Sequence, residues 1–276
     1  MKIFYSIDEF LKNQLQIEYF IPTMGNLHNG HLSLINQVKG SSKGTCVSIY
    51  VNEAQFTNQE DFENYPKTLN DDIQKLNSLN VDYLLIPEKN DIEKNSQSFD
   101  TSKEPKHITS ELCGQFRAGH FLAVMDVVDR FFQIVKPRNA IFGEKDYQQL
   151  LVIQELIKIC NYDINLIRSP IIRNNEGLAL SSRNNLLSDE ERSYAAEIYK
   201  SLIYAKNLYN DKVKIDDITE QINSYFDELP MKIEYFSIRD LKTLQPRYDD
   251  DLIALIAVYL GKVRLIDNII IKSTSK

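Results

Sequence analysis

The 276-residue chain lacks the features that mark several protein classes. No apolar run approaches the ~20 residues that span a bilayer, so neither a transmembrane helix nor a membrane partner is expected. The first residues, MKIFYSIDEFLKNQ, reach acids and amides by residue 8. They hold no apolar core followed by a small-residue cleavage site, so no signal peptide is expected. Cysteine is scarce: Cys46, Cys113 and Cys160 are odd in number and far apart. That argues against a disulfide framework and against a CxxC zinc site, and it fits the cytoplasm. Apolar neighbours make Cys46 and Cys160 read as small buried hydrophobes. A basic excess is also absent. With 32 Lys+Arg against 39 Asp+Glu the formal net charge is -7, so no general nucleic-acid binder is expected, although a local basic pocket is allowed. What is present is ordinary: 43% hydrophobic and 26% charged residues exclude disorder. The length suits one large domain or two ordinary ones at ~100–200 residues each.

The first 170 residues alternate strands and helices. Strands are expected at Ile17–Pro22, Thr45–Val51, Tyr83–Ile86, Asn139–Phe142 and Asp163–Ile167. Helices are expected at His31–Val38, Thr68–Leu79, Phe121–Val135 and Tyr147–Cys160, with Thr68 and Asp71 as a capping pair. Phe121–Val135 carries so wide an apolar stripe that it is either deeply buried or packed on a second subunit. Lys89–Lys106 is polar and nearly free of aliphatics, so it reads as an exposed excursion. This order implies an α/β fold, a mostly parallel sheet with helices on both faces, in which ligands bind outside the carboxyl ends of the strands. From Ser188 the pattern changes: a capping box, Ser188-Asp-Glu-Glu191, opens a helix to about Leu208, and a second helix follows near Asp216–Phe226. Strand-like runs come at Lys232–Ile238, Leu252–Tyr259 and Val263–Ile271. Two helices and three strands suggest a smaller C-terminal α+β domain, with residues 170–187 as linker.

The segment after the first of these strands is Pro22-Thr-Met-Gly25-Asn-Leu-His28-Asn-Gly30-His31. Gly25 and Gly30 have the spacing of a phosphate-cradling P-loop, but His31 and Leu32 stand where Lys and Ser/Thr belong, and G-x-G-x-x-G is absent as well. What remains is a glycine turn with two histidines at the start of a helix. Free amides there attract anions, the helix dipole disfavours an added proton on either imidazole, and a neutral imidazole still donates to phosphate. A His-x-x-His zinc site and plain capping roles stay open, although no nearby Cys or Asp completes a metal set.

His28-Asn-Gly-His31 resembles the HxGH signature of nucleotidylyl-transferring enzymes and class I aminoacyl-tRNA synthetases. Further segments narrow the resemblance to the pantothenate synthetase (pantoate–β-alanine ligase) family. Pro22–Ile35 is nearly its whole first motif. Val51-Asn-Glu-Ala-Gln55-Phe56 resembles its VNPxQF loop and Tyr65-Pro-Lys-Thr68 its YPRT segment. Phe142-Gly-Glu-Lys145-Asp146-Tyr-Gln-Gln149-Leu is similar to FGEKDxQQL, Leu180-Ser-Ser-Arg183-Asn184 to [ML]SSRN, and Leu260–Asn268 to the LGxxRLIDNI ending. The matches are in order and span nearly the whole chain.

The resemblance implies ATP-dependent joining of (R)-pantoate to β-alanine through a pantoyl-adenylate, releasing pyrophosphate and AMP and giving pantothenate for coenzyme A biosynthesis. It implies a Rossmann-like domain over residues 1–175 that binds ATP and pantoate, a lid domain over 176–276, and a homodimer. His31, His28, Lys145, Ser182 and Arg183 are its implied catalytic residues. Its ATP contacts are Met24, Gly25, Asn26, Leu27, His28, Asn29, Gly30, His31, Gly143, Glu144, Lys145, Asp146, Ile172, Leu180, Ser181, Ser182 and Arg183. Gln55 and Gln149 match its pantoate-binding glutamines. ATP chemistry implies Mg²⁺, for which Asp71 and Asp72 are the matching acids, although adjacent acids also serve as first-turn dipole partners. Gln149 has a second reading, because Asp146-x-x-Gln149 has capping-box spacing. Three positions depart from the family: Glu53 replaces a proline, Ala118 another, and Leu122 follows Phe121 where Arg-Gly is usual. They bear on substrate affinity and local loop shape. Two other functions remain at this stage, AMP transfer to a phosphate ester and non-catalytic nucleotide binding.

Overall fold

The structure, a computed structural model, describes residues 1–40, 44–246, 248 and 251–272. The chain divides into two compact units, one made of 1–144 and 149–170, the other of 145–148 and 171–276.

In the first unit, six strands among the described residues form one parallel sheet: β1 (Lys2–Phe4), β2 (Tyr19–Thr23), β3 (Thr45–Ile49), β4 (Tyr83–Leu85), β5 (Asn139–Gly143) and β6 (Asn165–Ser169). Their order across the sheet is β1-β4-β3-β2-β5-β6. The chain therefore works outward from β2 to one side, then returns beside β2 to build the other. β2 and β5 are the neighbours at that reversal. They pair through Tyr19↔Asn139 and Phe20↔Ala140, whereas β2 stays paired to β3 as far as Thr23↔Ile49. The carboxyl ends of β2 and β5 thus leave a crevice, the place where open α/β sheets bind ligands. One face is packed by Ile21, Leu34, Ile35, Val47, Leu76 and Leu84. Helix His120–Val135 buries Phe121, Val124, Met125, Val128, Phe131, Phe132, Ile134 and Val135 within its own chain, which accounts for its wide apolar stripe.

Several expectations need correction. β1 and the helix Ile7–Lys12 fall outside the expected elements, because a three-residue strand shows no period. Lys89–Lys106 is exposed at most of its positions, as expected, but it is not without structure. It forms a helix over Lys89–Asn95 and a 3₁₀ turn at Thr101–Lys103, and it buries Ile92 and Phe99. Helix His120–Val135 satisfies its backbone: Asp126 accepts from the Phe99 N–H at 2.8 Å and Gln133 from the Gln97 N–H at 2.9 Å. Thr68 makes no capping bond to its helix. The buried cysteines are Cys46 and Cys113, while Cys160 is half-buried.

The second unit holds an antiparallel sheet, β7 (Met231–Asp240), β8 (Leu252–Leu260) and β9 (Val263–Lys272), with β8 in the middle. One face of β8, from Leu252 to Leu260 at alternate positions, packs on helices Glu197–Asn210 and Ile215–Asp227 through Ile198, Leu202, Ile218 and Ile222. The capping box at Ser188 is present: Ser188 Oγ accepts from Glu191 N–H at 3.2 Å, and Glu191 accepts from Ser188 N–H at 2.8 Å. The expected single helix is interrupted at Ala196, which keeps helical angles between Asp189–Ala195 and Glu197–Asn210.

Two tyrosines make stability depend on alkaline pH. Burial, and then the hydrogen bond to Asp129, pushes the Tyr162 phenol up; burial and the bond to Glu197 push Tyr225 up to about 12 from 10.0. A folded-state value above the unfolded one means the contribution is complete below pH 10 and is lost as pH rises toward about 12. Thermal unfolding of wild type should weaken above pH 10, and a Tyr162→Phe/Tyr225→Phe variant should weaken less steeply; equal slopes would contradict this.

Candidate active site

The loop leaving β2 owes its shape to one carboxylate. Thr23 Oγ donates to Ser48 O at 2.8 Å and accepts from Gly25 N–H at 3.2 Å. Gly25 (φ +79°) and Asn26 (φ +49°) then take two left-handed conformations in succession. Glycine suits this position by its angle, and a Cβ on Gly25 would also sit tightly, 3.2 Å from both Asp72 Oδ2 and Ile49 Cγ2. The turn aims the N–H groups of Asn26 and Leu27 at the Asp72 carboxylate, at 2.9 and 2.7 Å. Thr68 Oγ donates to the same carboxylate at 3.2 Å, and Lys75 Nζ to the Leu27 carbonyl at 2.7 Å. Residues 68, 72 and 75 share one side of helix Leu69–Ser78, while Leu76 secures it to the core.

The braced loop delivers His28 to the N-cap of helix Asn29–Asn36. His28 Nδ1 accepts from Gly30 N–H at 3.1 Å, and His31 Nδ1 accepts from His28 N–H at 3.4 Å. Two imidazoles therefore make a capping box, where Ser/Thr and Glu/Gln usually serve. Their rings lie 4.1 Å apart. A nitrogen that accepts carries no proton, so each neutral ring bears its hydrogen on Nε2. Capping and donation are thus compatible on the same ring. Among the described residues no group of three or more His, Cys, Asp and Glu gathers to hold a metal, so the zinc reading of the pair finds no support.

Gln55 sits in the 3₁₀ turn Glu53–Gln55 after β3. Its carbonyl accepts from Arg117 Nη2 at 3.2 Å and from His120 Nδ1 at 2.8 Å, while Arg117 Nη1 faces His120 Nε2 at 3.0 Å. Arg117 donates only, so it fixes the His120 tautomer that donates to Gln55. The Gln55 amide itself contacts Met24 Sδ at 3.0 Å and Asn52 Nδ2 at 3.4 Å. Of the departures, Glu53 and Ala118 are exposed and Leu122 is half-buried. Gln149 is half-buried, in the first turn of helix Tyr147–Ile159. Gly143 and Glu144 lie at the carboxyl end of β5.

In the second unit, Lys145 is half-buried and its carbonyl accepts from Asn268 Nδ2 at 3.0 Å. Residues 170–187 are not a plain linker. Leu180 N–H bonds to Ile172 O at 2.9 Å and Arg173 bridges Ala179, making a hairpin whose turn is closed by Asn174 and Gly177. Ser181 follows and caps the 3₁₀ helix Ser182–Leu186, accepting from Arg183 N–H at 3.2 Å. Arg173 anchors the hairpin: its guanidinium forms a two-pronged pair with Asp267, donates to Gly177 O at 3.0 Å and Asn268 O at 3.2 Å, and stacks 3.8 Å over Tyr199. Burial pushes the Asp267 carboxyl up, and Arg173 opposes it. Lys145, Ser181, Asn184 and Asp267 line one small cavity.

The structure thus gathers Met24–His31 around Asp72, and Lys145 with Ser181 and the Asp267 pair. It does not join Asp71 to Asp72. Asp71 is exposed, and Asp72, only 1% exposed, already accepts three hydrogen bonds. Such a carboxylate does not fit an open magnesium site, which keeps several waters. Sequence reading assigned no role to Lys75, Arg117, His120 or Arg173, whose partners lie 48, 62, 65 and 94 residues away.

Removing the brace should be costly. Asp72→Ala leaves two buried N–H groups unpaired and should lose about 2–4 kcal/mol by chemical denaturation. Gly25→Ala should lose at least ~1–2 kcal/mol from its backbone angle alone. A change below about 0.5 kcal/mol in either, the usual range for an ordinary surface position, would contradict the brace.

The comparisons with known proteins follow the same line. The family profile described as Pantoate-beta-alanine ligase matches residues 4–270. The pantothenate synthetase of Thermosipho africanus is 41% identical, covering 98% of this chain and 100% of its own. That of Marinomonas is 40% identical over 98% and 99%. The crystal structure of pantothenate synthetase from Thermus thermophilus matches with a TM-score of 0.91 at 31% identity, covering 98% of this chain and 99% of its own. The Francisella tularensis pantoate-beta-alanine ligase, complexed with beta-gamma ATP and beta-alanine, matches with a TM-score of 0.81 at 36% identity over 98% of each chain. On this sequence and fold evidence together, the chain belongs to the pantoate-beta-alanine ligase family.

Proposed function

We propose that the chain condenses (R)-pantoate with β-alanine in two steps. ATP adenylates the pantoate carboxylate, releasing pyrophosphate. The β-alanine amine then displaces AMP to give pantothenate. The observation that carries this reading is the braced histidine turn at the carboxyl end of β2, beside β5, in a chain that matches the family over residues 4–270.

Nucleotidyl transfer is mostly positioning and electrostatics. In this reading His28 and His31 donate from Nε2 to the phosphates of ATP, and the amides at the start of helix Asn29–Asn36 add their dipole. Lys145 neutralises the α-phosphate, and Ser182 and Arg183 hold the departing pyrophosphate. The family resemblance assigns adenosine contacts to Met24–His31 and Gly143–Glu144 of the first unit and, separately, to Lys145, Asp146, Ile172 and Leu180–Arg183 of the second. Gln55 and Gln149 take pantoate, whose hydroxyls and carboxylate suit amides that both donate and accept. β-Alanine is the second substrate, a choice supported by the Francisella tularensis ligase, which is complexed with it. Mg²⁺ bound to ATP would screen the phosphate charge, and neither Asp71 nor Asp72 is assigned to it. A homodimer and a cytoplasmic location complete the reading. Helix His120–Val135 lends the dimer no free apolar face, since that face is buried within its own chain.

Mass-spectrometric product detection tests the reaction. With ATP, Mg²⁺, (R)-pantoate and β-alanine, pantothenate and AMP should accumulate, and omission of any one should stop turnover. Full turnover without β-alanine would instead establish AMP transfer to another acceptor. His31→Ala and Lys145→Ala should each slow adenylation about 10²–10³-fold. Gln149→Ala should raise the pantoate KM about 5- to 150-fold, the equivalent of roughly 1–3 kcal/mol, with the ATP KM little changed. An unchanged pantoate KM would remove Gln149 from the pantoate site.

A further inference from the structure

Strand β9 is apolar along most of its inner length, with Leu265, Ile269 and Ile271 in or against the core of the second unit. Asp267 and Asn268 interrupt it, at 4% and 5% exposed. Burying a charge and an amide is expensive, and apolar residues in such places are often neutral or stabilising. Stability alone therefore does not account for this dipeptide. Neighbouring residues of a strand point to opposite faces, and the two side chains hold different segments. Asp267 grips Arg173, which spans the hairpin by also donating to Gly177 O. Asn268 donates to the Lys145 carbonyl at 3.0 Å, and its own carbonyl accepts from Arg173 at 3.2 Å. The Asn268 N–H in turn donates to Asp267 Oδ1 at 2.7 Å, locking the two together.

We infer that Asp267 and Asn268 are positioning residues that set the spacing between Lys145 and the Ser181–Arg183 segment. The inference rests on the reading that Lys145 and Arg183 act on the phosphates of ATP, and it adds the device that registers them. Lys145 and Arg183 come from segments 38 residues apart in sequence, and the edge strand ties the backbone of one to the hairpin that carries the other. A misplacement of about 1 Å costs a reaction of this kind on the order of 10²-fold.

The test is a double-mutant cycle read by pantoate-dependent exchange of pyrophosphate into ATP, below the unfolding transition of every variant. Asn268→Ala should slow exchange roughly 10- to 100-fold, on the scale of that misplacement. In a Lys145→Ala background the same change should cost less than about 2-fold, since a residue acting through Lys145 has nothing left to position. Asn268→Asp keeps the volume and turns the donor into an acceptor, so it should repeat the pattern should the alanine variant fold poorly. Glu234→Gln removes the charge from a half-buried ion pair on the same sheet, to Arg264, and serves as the structural control. It should lower the melting temperature and change exchange equally in both backgrounds. Additive losses from Asn268→Ala and Lys145→Ala would overturn the inference while leaving the role of Lys145 intact. Undiminished exchange in Lys145→Ala alone would overturn both.

Discussion

The carboxylate of Asp72 is the interaction on which the first unit's site depends. A loop that turns through two left-handed residues exposes its amides on the inside of the bend, where water does not reach them. Asp72 supplies the acceptor, from a helix that Leu76, one turn further on the same face, fixes in the core. The consequences run outward in order. Gly25 is held to glycine by its left-handed angle, and a Cβ there would press on the carboxylate at 3.2 Å. His28 arrives in an extended conformation able to cap the next helix, and His31 closes the box behind it. Each ring then spends Nδ1 on the backbone and keeps its proton on Nε2. The chemistry of two histidines is thereby set by an aspartate in a different helix.

The second unit solves a similar problem with a different pair. Its hairpin has few apolar anchors of its own, so its geometry is fixed by the Arg173 guanidinium, whose planar fork engages Asp267, Gly177 and Asn268 together and stacks on Tyr199. In both units the candidate loops stand on backbone held by buried polar contacts beside an apolar anchor, Leu27 in one and Leu178 in the other. Such contacts are costly to bury and strongly directional.

How much of this was legible in the sequence follows from the range of each interaction. Apolar periodicity placed five of the six parallel strands and the long helices, because burial of one face is a local pattern. β1 escaped, since Lys2–Phe4 is too short to show a period. Lys89–Lys106 read as exposed and mostly is, but its helix and its buried Ile92 and Phe99 did not show, because Asp126 and Gln133 support the neighbouring backbone from far along the chain. The histidine loop and the Gly143–Asp146 turn stood out as contiguous motifs. Their supports did not: Asp72 read as a metal ligand by resemblance or, as adjacent acids usually do, as a first-turn dipole partner, and only the fold shows its carboxylate on amides 45 and 46 residues away. Arg173 lies 94 residues from Asp267, a distance that no local pattern bridges.

The central claim is that Asp72 shapes the histidine loop for adenylation, and Asp72→Asn isolates it. The variant keeps the volume but turns an NH₂ group toward donors. Pantoate-dependent exchange of pyrophosphate into ATP, measured without β-alanine at a temperature where circular dichroism shows the variant folded, should fall by about 10²-fold or more. Exchange at the wild-type rate in a folded Asp72→Asn protein would contradict the account.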